Sequence, residues 1–344
     1  MSPFLHRSLG ILGTFAALVA LAFAAGWLAT RGRHEVPRTV TEDPTVPSAS
    51  LNGVRLHVLT FGDPANPPVV IVHGGPGADS RHLLPLAALQ DRYFVVFYDQ
   101  RGSGLSERVP DERLGLDAFY GDLDAVVDRY GAGRPVRLIG HSWGAMLASG
   151  YLGLHPEKVR QVVLAEPGML TSETAKILMA ETNDMTPRPS LAVARLGALT
   201  FLRSLHVNGP DADARRDFLV GHLMFSSFRG HPTEGYYCNR DMTTASLPIW
   251  RFGARVPQAL FASAKGPEGT WHVDFAQGVD RFTGKVLFLV GGCGAVLGET
   301  MQRRHMVHFR APELVVIPGA GHTMFGEKPE ASLAAVRRYF AEAG

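Results

Sequence analysis

VRLIGHSWG, residues 136–144, joins a short apolar run to a stretch with helical character. A buried strand that turns sharply into a helix places the residue at the turn, Ser142, at the edge of a sheet. Gly140 and Gly144 flank the turn and let neighbouring backbones approach closely. The N-terminus of the following helix favours negative charge that develops beside the serine. This pattern predicts that Ser142 is a nucleophile, and a purely structural turn serine is the alternative.

Short apolar runs on both sides of this turn predict a mainly parallel sheet, since strands buried on both faces are almost continuously apolar. These runs are Val69–Val72, Tyr93–Tyr98, Val136–Ile139, Gln161–Leu164, Val286–Val290 and Leu314–Ile317. Helical stretches lie between them at Asp117–Tyr130, Met146–Leu154 and Ala331–Phe340. Such alternation predicts an α/β fold with helices on both faces of the sheet.

Two regions depart from this alternation. Residues 169–278 are rich in helix formers and prolines, and they predict a cap over the C-terminal edge of the sheet. Residues 34–50 carry three prolines without apolar periodicity, and they predict an extended linker. The core of the fold is then expected at 51–168 and 279–344, and residues 1–33 form a separate N-terminal region.

This N-terminal region contains Leu9–Ala29, an uncharged run of 21 residues that is long enough to cross a bilayer. It is interpreted as an uncleaved membrane anchor, as a signal peptide cleaved near residues 22–24, or as a buried helix of a soluble domain. Its length favours the anchor, and arginines on both flanks leave the orientation open. We therefore expect a membrane-anchored or exported protein, periplasmic or extracellular, with a cytoplasm-facing anchor as the alternative.

Composition excludes several classes of protein. The 344 residues are 46% hydrophobic and 19% charged, which is typical of a globular chain. A net charge of +2 gives no electrostatic basis for binding nucleic acid. Cys238 and Cys293 have no zinc-ligand spacing, so no metal is expected; they are interpreted as two free buried thiols or as one disulfide. The oligomeric state stays open.

Two further segments supply the partners that a nucleophilic serine needs. HGGPG at 73–77 follows an apolar strand, and its consecutive glycines allow a tight loop whose N–H groups face one pocket. Gly74 or Gly75, together with the N–H of Trp143, would form an oxyanion hole. His322 follows the last strand in GAGH, in the chain order expected of a base that accepts the serine proton.

Together, four motifs resemble the prolyl iminopeptidase branch of the α/β-hydrolases: HGGPG at 73–77, DQRGSGLS at 99–106, GHSWG at 140–144 and GAGH at 319–322. The resemblance covers most of residues 51–165 and 280–344. It implies an α/β-hydrolase fold, with a mainly parallel eight-stranded sheet and a mostly helical cap inserted after the sixth strand. It implies an aminopeptidase that releases N-terminal proline from small peptides through an acyl-enzyme on Ser142, with His322 as base and no cofactor. Arg101 resembles the residue of a loop that braces the site.

The loop after the seventh predicted strand departs from the family pattern, because Gly294 stands where the family has the acid of its triad. A triad needs a carboxylate to orient its histidine. Glu166, at the end of the sixth strand, and Glu299, further along the same loop, are the two candidate substitutes. Some α/β-hydrolases place their acid after the sixth strand, so Glu166 is the acid we expect, with Glu299 and a site without an acid as alternatives.

Glu234 and Tyr237 in the cap resemble the family's E-x-x-Y segment, in which a Glu recognises the free amino terminus of the substrate. A carboxylate in a closed pocket pairs with an ammonium group and rejects blocked peptides. A solvated surface glutamate is the alternative for Glu234. An esterase, lactonase or amidase of a small substrate, and a catalytically impaired binding protein, are the alternatives to an aminopeptidase.

Overall fold

An eight-stranded sheet forms the centre of the fold in a computed structural model that describes residues 3–244, 247–264 and 273–342. The strands are β1 (Ser48–Leu51), β2 (Val54–Phe61), β3 (Pro68–Val72), β4 (Phe94–Tyr98), β5 (Val136–His141), β6 (Val159–Ala165), β7 (Val286–Gly291) and β8 (Pro312–Ile317). Their spatial order is β1-β2-β4-β3-β5-β6-β7-β8. Among the pairs of described strands, only β1–β2 and β2–β4 are antiparallel. The predicted mainly parallel sheet is confirmed.

The helices of the described residues are α1 (Pro3–Ala29), α2 (Leu116–Gly131), α3 (Trp143–Leu154), α4 (Ser172–Glu181), α5 (Leu191–Ser204), α6 (Ala214–Met224), α7 (Arg255–Ala264), α8 (Glu299–Met306), α9 (Met324–Glu327) and α10 (Pro329–Glu342). Helices α2 and α3 pack on one face of the sheet, and α9 and α10 pack on the other. Strand β3 shows why helices are needed on both faces of the sheet. Its apolar side chains point alternately to the two faces and enter two separate hydrophobic cores. Val70 and Val72 pack with α2 and α3, and Val69 and Ile71 pack with α10.

The cap is inserted after the sixth strand, as predicted, with α4 to α7 lying between β6 and β7. Where the cap rejoins the core, Phe275 and Ala276 already pack among core residues. The Phe275 carbonyl also accepts a hydrogen bond of 2.8 Å from the Ser149 hydroxyl of α3. These contacts fix one end of the cap on α3, the helix that follows Ser142.

Residues 34–50 differ from the predicted linker. Thr39 and Val40 are fully buried, and the Val40 N–H donates to the Leu105 carbonyl at 2.8 Å. The last residues of the segment belong to β1, which pairs with β2 at the edge of the sheet. Contacts with distant parts of the chain thus bury part of this segment, and no local periodicity signals them.

Helix α1 carries the apolar N-terminal run. The window Leu12–Ala29 has a mean hydropathy of 2.0, and none of it is buried in the protein. The interpretation as a buried helix of a soluble domain is therefore wrong. Its length and composition suit a membrane-spanning helix, and a signal sequence near an N-terminus would have the same properties.

Candidate active site

Ser142 occupies the predicted strand-to-helix turn, between the end of β5 and the start of α3. Its backbone has φ 56° and ψ −120°, a conformation that costs energy for any residue with a side chain. The flanking glycines are needed because an added Cβ at Gly144 would lie 2.1 Å from the Val72 carbonyl oxygen. At Gly140 it would lie 2.5 Å from the Gly144 carbonyl oxygen. The turn therefore exists only because the backbones meet without side chains between them.

The predicted oxyanion-hole residues surround the same turn. A Cβ on Gly74 would lie 2.8 Å from the Ser142 Cβ, so this loop rests directly against the serine. Trp143 is the first residue of α3, where a backbone N–H has no carbonyl partner within its own helix. Gly74, Gly75, Ser142 and Trp143 line one cavity. They therefore lie together at the cavity where the predicted oxyanion hole would form.

Gln100 forms hydrogen bonds with both segments of the predicted oxyanion hole, the loop that begins at His73 and the start of α3. Sequence patterns assigned this residue no role. Its backbone N–H donates to His73 Nε2 at 2.9 Å, and its side-chain amide donates to the His73 carbonyl at 2.8 Å. Its Oε1 accepts from the indole N–H of Trp143 at 2.8 Å. The adjacent Arg101 is buried and pairs through Nε with Asp122 of α2 at 2.7 Å. The DQRG motif was the available signal for both residues.

Glu166 and His322 form a buried pair behind the serine. His322 Nδ1 lies 2.6 Å from Glu166 Oε2, and the second carboxylate oxygen accepts the Gly291 N–H at 2.7 Å. Glu166 has φ 43° and no solvent exposure. A carboxylate on Nδ1 holds the proton on that nitrogen and leaves Nε2 free to accept one. His322 also lines the cavity of Ser142, so the structure brings the three predicted residues together.

The other candidate acid lies elsewhere. Glu299 begins α8 and pairs with Arg303 on the same helix, at 2.6 Å and 2.8 Å, with its side chain about half exposed. A Cβ added at Gly294 would come no closer than 3.5 Å to other atoms, the nearest being the Tyr236 carbonyl oxygen. Nothing steric therefore requires glycine at 294. Of the alternatives for the acid, the geometry favours Glu166.

Burial shifts the pKa of both members of the pair. It raises the pKa of the Glu166 carboxyl well above its usual range, opposed by the hydrogen bond from the Gly291 N–H. It lowers the pKa of His322 to about 4. A buried imidazole that resists protonation is uncharged at neutral pH, and only the uncharged form can accept the serine proton.

Two more histidines support His322, and sequence reasoning assigned them no role. His141, inside the GHSWG motif, places Nε2 2.8 Å from the His322 carbonyl oxygen and its ring 4.6 Å from the His322 ring. His82 Nε2 lies 3.2 Å from His141 Nδ1. Burial lowers the pKa of both, that of His141 to about 3. They form an uncharged chain that positions the loop carrying His322.

The cavity at Ser142 has a volume of about 620 Å³. This volume falls within the range of small-molecule sites. Six methionines contribute to its wall: Met146, Met169, Met179, Met185, Met224 and Met242. Phe225, Phe252 and Phe261 add aromatic rings. Among the described residues that line it, none is Asp, Glu, Lys or Arg. The space beside the serine therefore suits an apolar group.

The structure separates the two cap residues predicted to bind substrate. Tyr237 lines the cavity and is almost fully buried. The Glu234 carboxylate instead accepts the Gly230 N–H at 2.7 Å and lies 3.3 Å from the guanidinium of Arg240. Glu234 is not among the described residues that line the cavity. Its carboxylate serves the local structure of the cap in this arrangement.

A disulfide joins Cys238 of the cap to Cys293 in the loop after β7. The interpretation as two free thiols is wrong, and the alternative of a single bond holds. Beside the disulfide, the Tyr236 carbonyl accepts the His322 N–H at 2.9 Å, and the Gly235 carbonyl accepts the Ala295 N–H at 2.8 Å. The bond thus holds this part of the cap directly over His322. The two cysteines are 55 residues apart, so only the fold reveals that they meet.

Comparisons with known proteins agree with this geometry. Residues 67–329 match the model of the alpha/beta hydrolase fold family. A proline iminopeptidase of Heyndrickxia coagulans is 39% identical over 101 residues, 29% of this chain and 35% of that protein. A cis-3-alkyl-4-alkyloxetan-2-one decarboxylase of Shewanella oneidensis is 31% identical over 121 residues, 35% of this chain and 37% of that protein.

The matched segments span only about a third of these curated relatives. Among solved structures, a bacterial membrane phospholipase A superposes with a TM-score of 0.58 at 18% identity. That superposition covers 100% of this chain and 99% of the other, and at such low identity it shows the fold alone. The family model, the sheet and the serine turn lead to one conclusion: the chain belongs to the alpha/beta hydrolase fold family.

Proposed function

We propose that this protein is a serine hydrolase in which Ser142, His322 and Glu166 act as a triad. The observation that carries the proposal is the 2.6 Å contact between Glu166 and His322 Nδ1, behind the cavity that Ser142 and His322 share. Glu166, directly after β6, would then take the place of the carboxylate that the family carries at the position of Gly294. The presence of candidate residues for nucleophile, base and acid argues against a catalytically impaired binding protein.

The proposed mechanism has two steps. Ser142 Oγ attacks the carbonyl carbon of the substrate while His322 Nε2 accepts the hydroxyl proton. The N–H groups of Trp143 and of Gly74 or Gly75 stabilise the oxyanion, and the proton then passes to the leaving group. Water hydrolyses the acyl-enzyme with His322 again as base. Glu166 stabilises the imidazolium that forms in both steps.

The substrate that the cavity supports best is an ester with an apolar acyl group. A wall of methionine and aromatic side chains is apolar and adaptable. An α-ammonium group would need a carboxylate partner, since a buried unpaired charge is costly. The described lining offers none, and Glu234 is held by Gly230 and Arg240.

Release of an N-terminal proline is the second candidate. HGGPG and DQRGSGLS favour it, as does the similarity to a proline iminopeptidase. The proline ring is apolar and would fit the same wall. The two candidates differ in whether a free amine is required.

Hydrolysis of four substrates separates the candidates: a proline anilide, its N-acetylated form, an alanine anilide and a short-chain ester. We expect the ester to be cleaved fastest. Glu234→Gln should change kcat/KM equally for substrates with a free amine and for blocked substrates, because its carboxylate serves the cap. Cleavage of the free proline anilide alone, with a rise in KM confined to free amines in Glu234→Gln, would establish the aminopeptidase instead.

We further propose that the folded part of the chain lies outside the cytoplasm, with α1 as its anchor or export signal. Disulfides persist in oxidising compartments and are rare in the cytosol. Closing a loop of 55 residues also stabilises a fold by about 4 kcal/mol in the chain-entropy model. The Cys238–Cys293 bond is thus a substantial part of the expected stability.

Maleimide-polyethylene glycol labelling of the denatured protein, taken directly from cells, tests this location. We expect no mass shift before reduction and a shift of two labels after it, because both thiols are in the disulfide. A Cys238→Ser/Cys293→Ser variant should give no shift in either case. Two labels on the unreduced wild-type protein would place the folded part in a reducing compartment.

A further inference from the structure

Cap helix α5 leaves large apolar residues exposed. Its buried residues are Thr200 and Ser204, which are polar, while its aliphatic residues Val193, Leu196, Leu199 and Leu202 are half-buried. Leu191 and Phe201 are instead 91% and 48% exposed. A surface helix of a soluble domain normally buries its apolar stripe and exposes its polar residues. Leu191 and Phe201 therefore face away from the protein, where something other than water would have to cover them.

This helix lies directly against the end of α1. A Cβ on Gly26 would lie 2.8 Å from Leu202 Cδ1, so the two helices approach closely. In the turn after α5, His206 Nε2 lies 3.0 Å from the Trp27 carbonyl oxygen, and the two rings are 5.0 Å apart. The exposed side of α5 thus begins where the apolar window of α1 ends. If a bilayer surrounds α1, its surface reaches α5.

The charges near this contact suit lipid headgroups. Helix α5 contains Arg195 and Arg203, both exposed, and no acidic residue. Arg31 and Arg33 follow α1 and are also exposed. Arg31 lies over the Trp27 ring at 4.3 Å, and tryptophan with arginine is common at the boundary of a bilayer. A helix with apolar residues on its outer side and only basic charges is typical of an interfacial helix.

We propose that α5 lies in the interface of the bilayer that α1 anchors, with Leu191 and Phe201 inserted among the lipids. The proposal rests on the proposed role of α1 as an anchor and not on the chemistry of the site. It also relates the membrane to the cavity. Helix α6 packs against α5 and ends at Met224, which is 38% exposed and lines the cavity. An apolar residue of the cavity wall is thus exposed on the helix that packs against α5.

Fluorescence quenching by lipids tests the proposal in the full chain, reconstituted into vesicles of phosphatidylcholine and phosphatidylglycerol. Single variants Leu191→Cys and Phe201→Cys carry an NBD label, and the native cysteines stay in their disulfide. Ala65→Cys is the control, because it lies in the exposed turn before β3, at the sheet edge opposite the cap. Leu18→Cys, within α1, reports whether α1 itself is in the bilayer. Circular dichroism shows that each variant is folded.

With brominated lipids, we expect strong quenching at residues 18, 191 and 201 and none at residue 65. Quenching at residue 18 with none at 191 and 201 would overturn the proposal while the anchor stands. No quenching at residue 18 would overturn both the anchor and the proposal. Neither result depends on enzymatic activity, so a failure of this proposal is distinguishable from a failure of the proposed serine hydrolase activity, which the hydrolysis assays test.

Discussion

Replacing Ser142 by alanine should abolish ester hydrolysis, lowering kcat by at least about 10⁴-fold. Alanine keeps the backbone of the turn but removes the oxygen that forms the acyl-enzyme. Steady-state kinetics on the short-chain ester measures the loss, and thermal unfolding shows that the variant remains folded. The oxyanion hole and the cavity would remain, so a small residual rate over water is expected.

A second serine serves as the control for this variant. Ser263 of α7 is exposed and donates to the Leu260 carbonyl of its own helix at 2.9 Å. Ser263→Ala should leave kcat unchanged. If Ser142→Ala kept most of the wild-type rate, Ser142 would be the structural turn residue of the alternative interpretation.

Glu166→Gln should lower kcat by about 10³–10⁴-fold with a smaller change in KM. Glutamine has nearly the same shape, but its neutral amide cannot stabilise the imidazolium and its NH₂ group would disturb the tautomer of His322. The effect therefore appears in the chemical step. Single-turnover kinetics on the ester separates this step from binding.

Glu299→Gln is the matched control for the acid. Its carboxylate pairs with Arg303 on the surface of α8, and exposed pairs of this kind contribute little. We expect wild-type kinetics from this variant. A slow Glu299→Gln beside an active Glu166→Gln would move the acid to the loop after β7 and contradict the proposed triad.

Local patterns predicted the serine turn because its requirements are local. The apolar run and the glycines at 140 and 144 lie within nine residues of one another, 136–144. The structure shows the close contacts that require glycine at both positions. The six apolar runs became strands for the same reason, with small shifts at their ends. The last strand begins at Pro312, two residues before the predicted Leu314.

Resemblance to other α/β-hydrolases favoured Glu166 as the acid, but local patterns alone did not decide between Glu166, Glu299 and a site without an acid. Glu166 and Glu299 both stand after strands that reach the same edge of the sheet. The choice depends on where each side chain points and on which groups surround it. Glu166 contacts His322 from a backbone with φ 43°, directly after β6. No residue pattern in the sequence predicts this local conformation.

Local sequence patterns could not predict the features that depend on contacts between distant residues. The Cys238–Cys293 disulfide, the buried Thr39 and the exposed apolar residues of α5 each depend on segments far apart in the chain. Glu234 shows the opposite difficulty. A short pattern resembled a substrate-binding segment, but the structure directs its carboxylate to Gly230 and Arg240.

Covalent labelling tests the proposed nucleophile most directly, and it does not require knowledge of the natural substrate. The protein is treated with an alkyl fluorophosphonate and digested, and the modified peptide is sequenced by mass spectrometry. We predict one adduct per chain, on Ser142, and its loss in Ser142→Ala. An adduct on another serine, or none on the folded wild-type protein, would contradict the proposal that Ser142 is the activated nucleophile of this site.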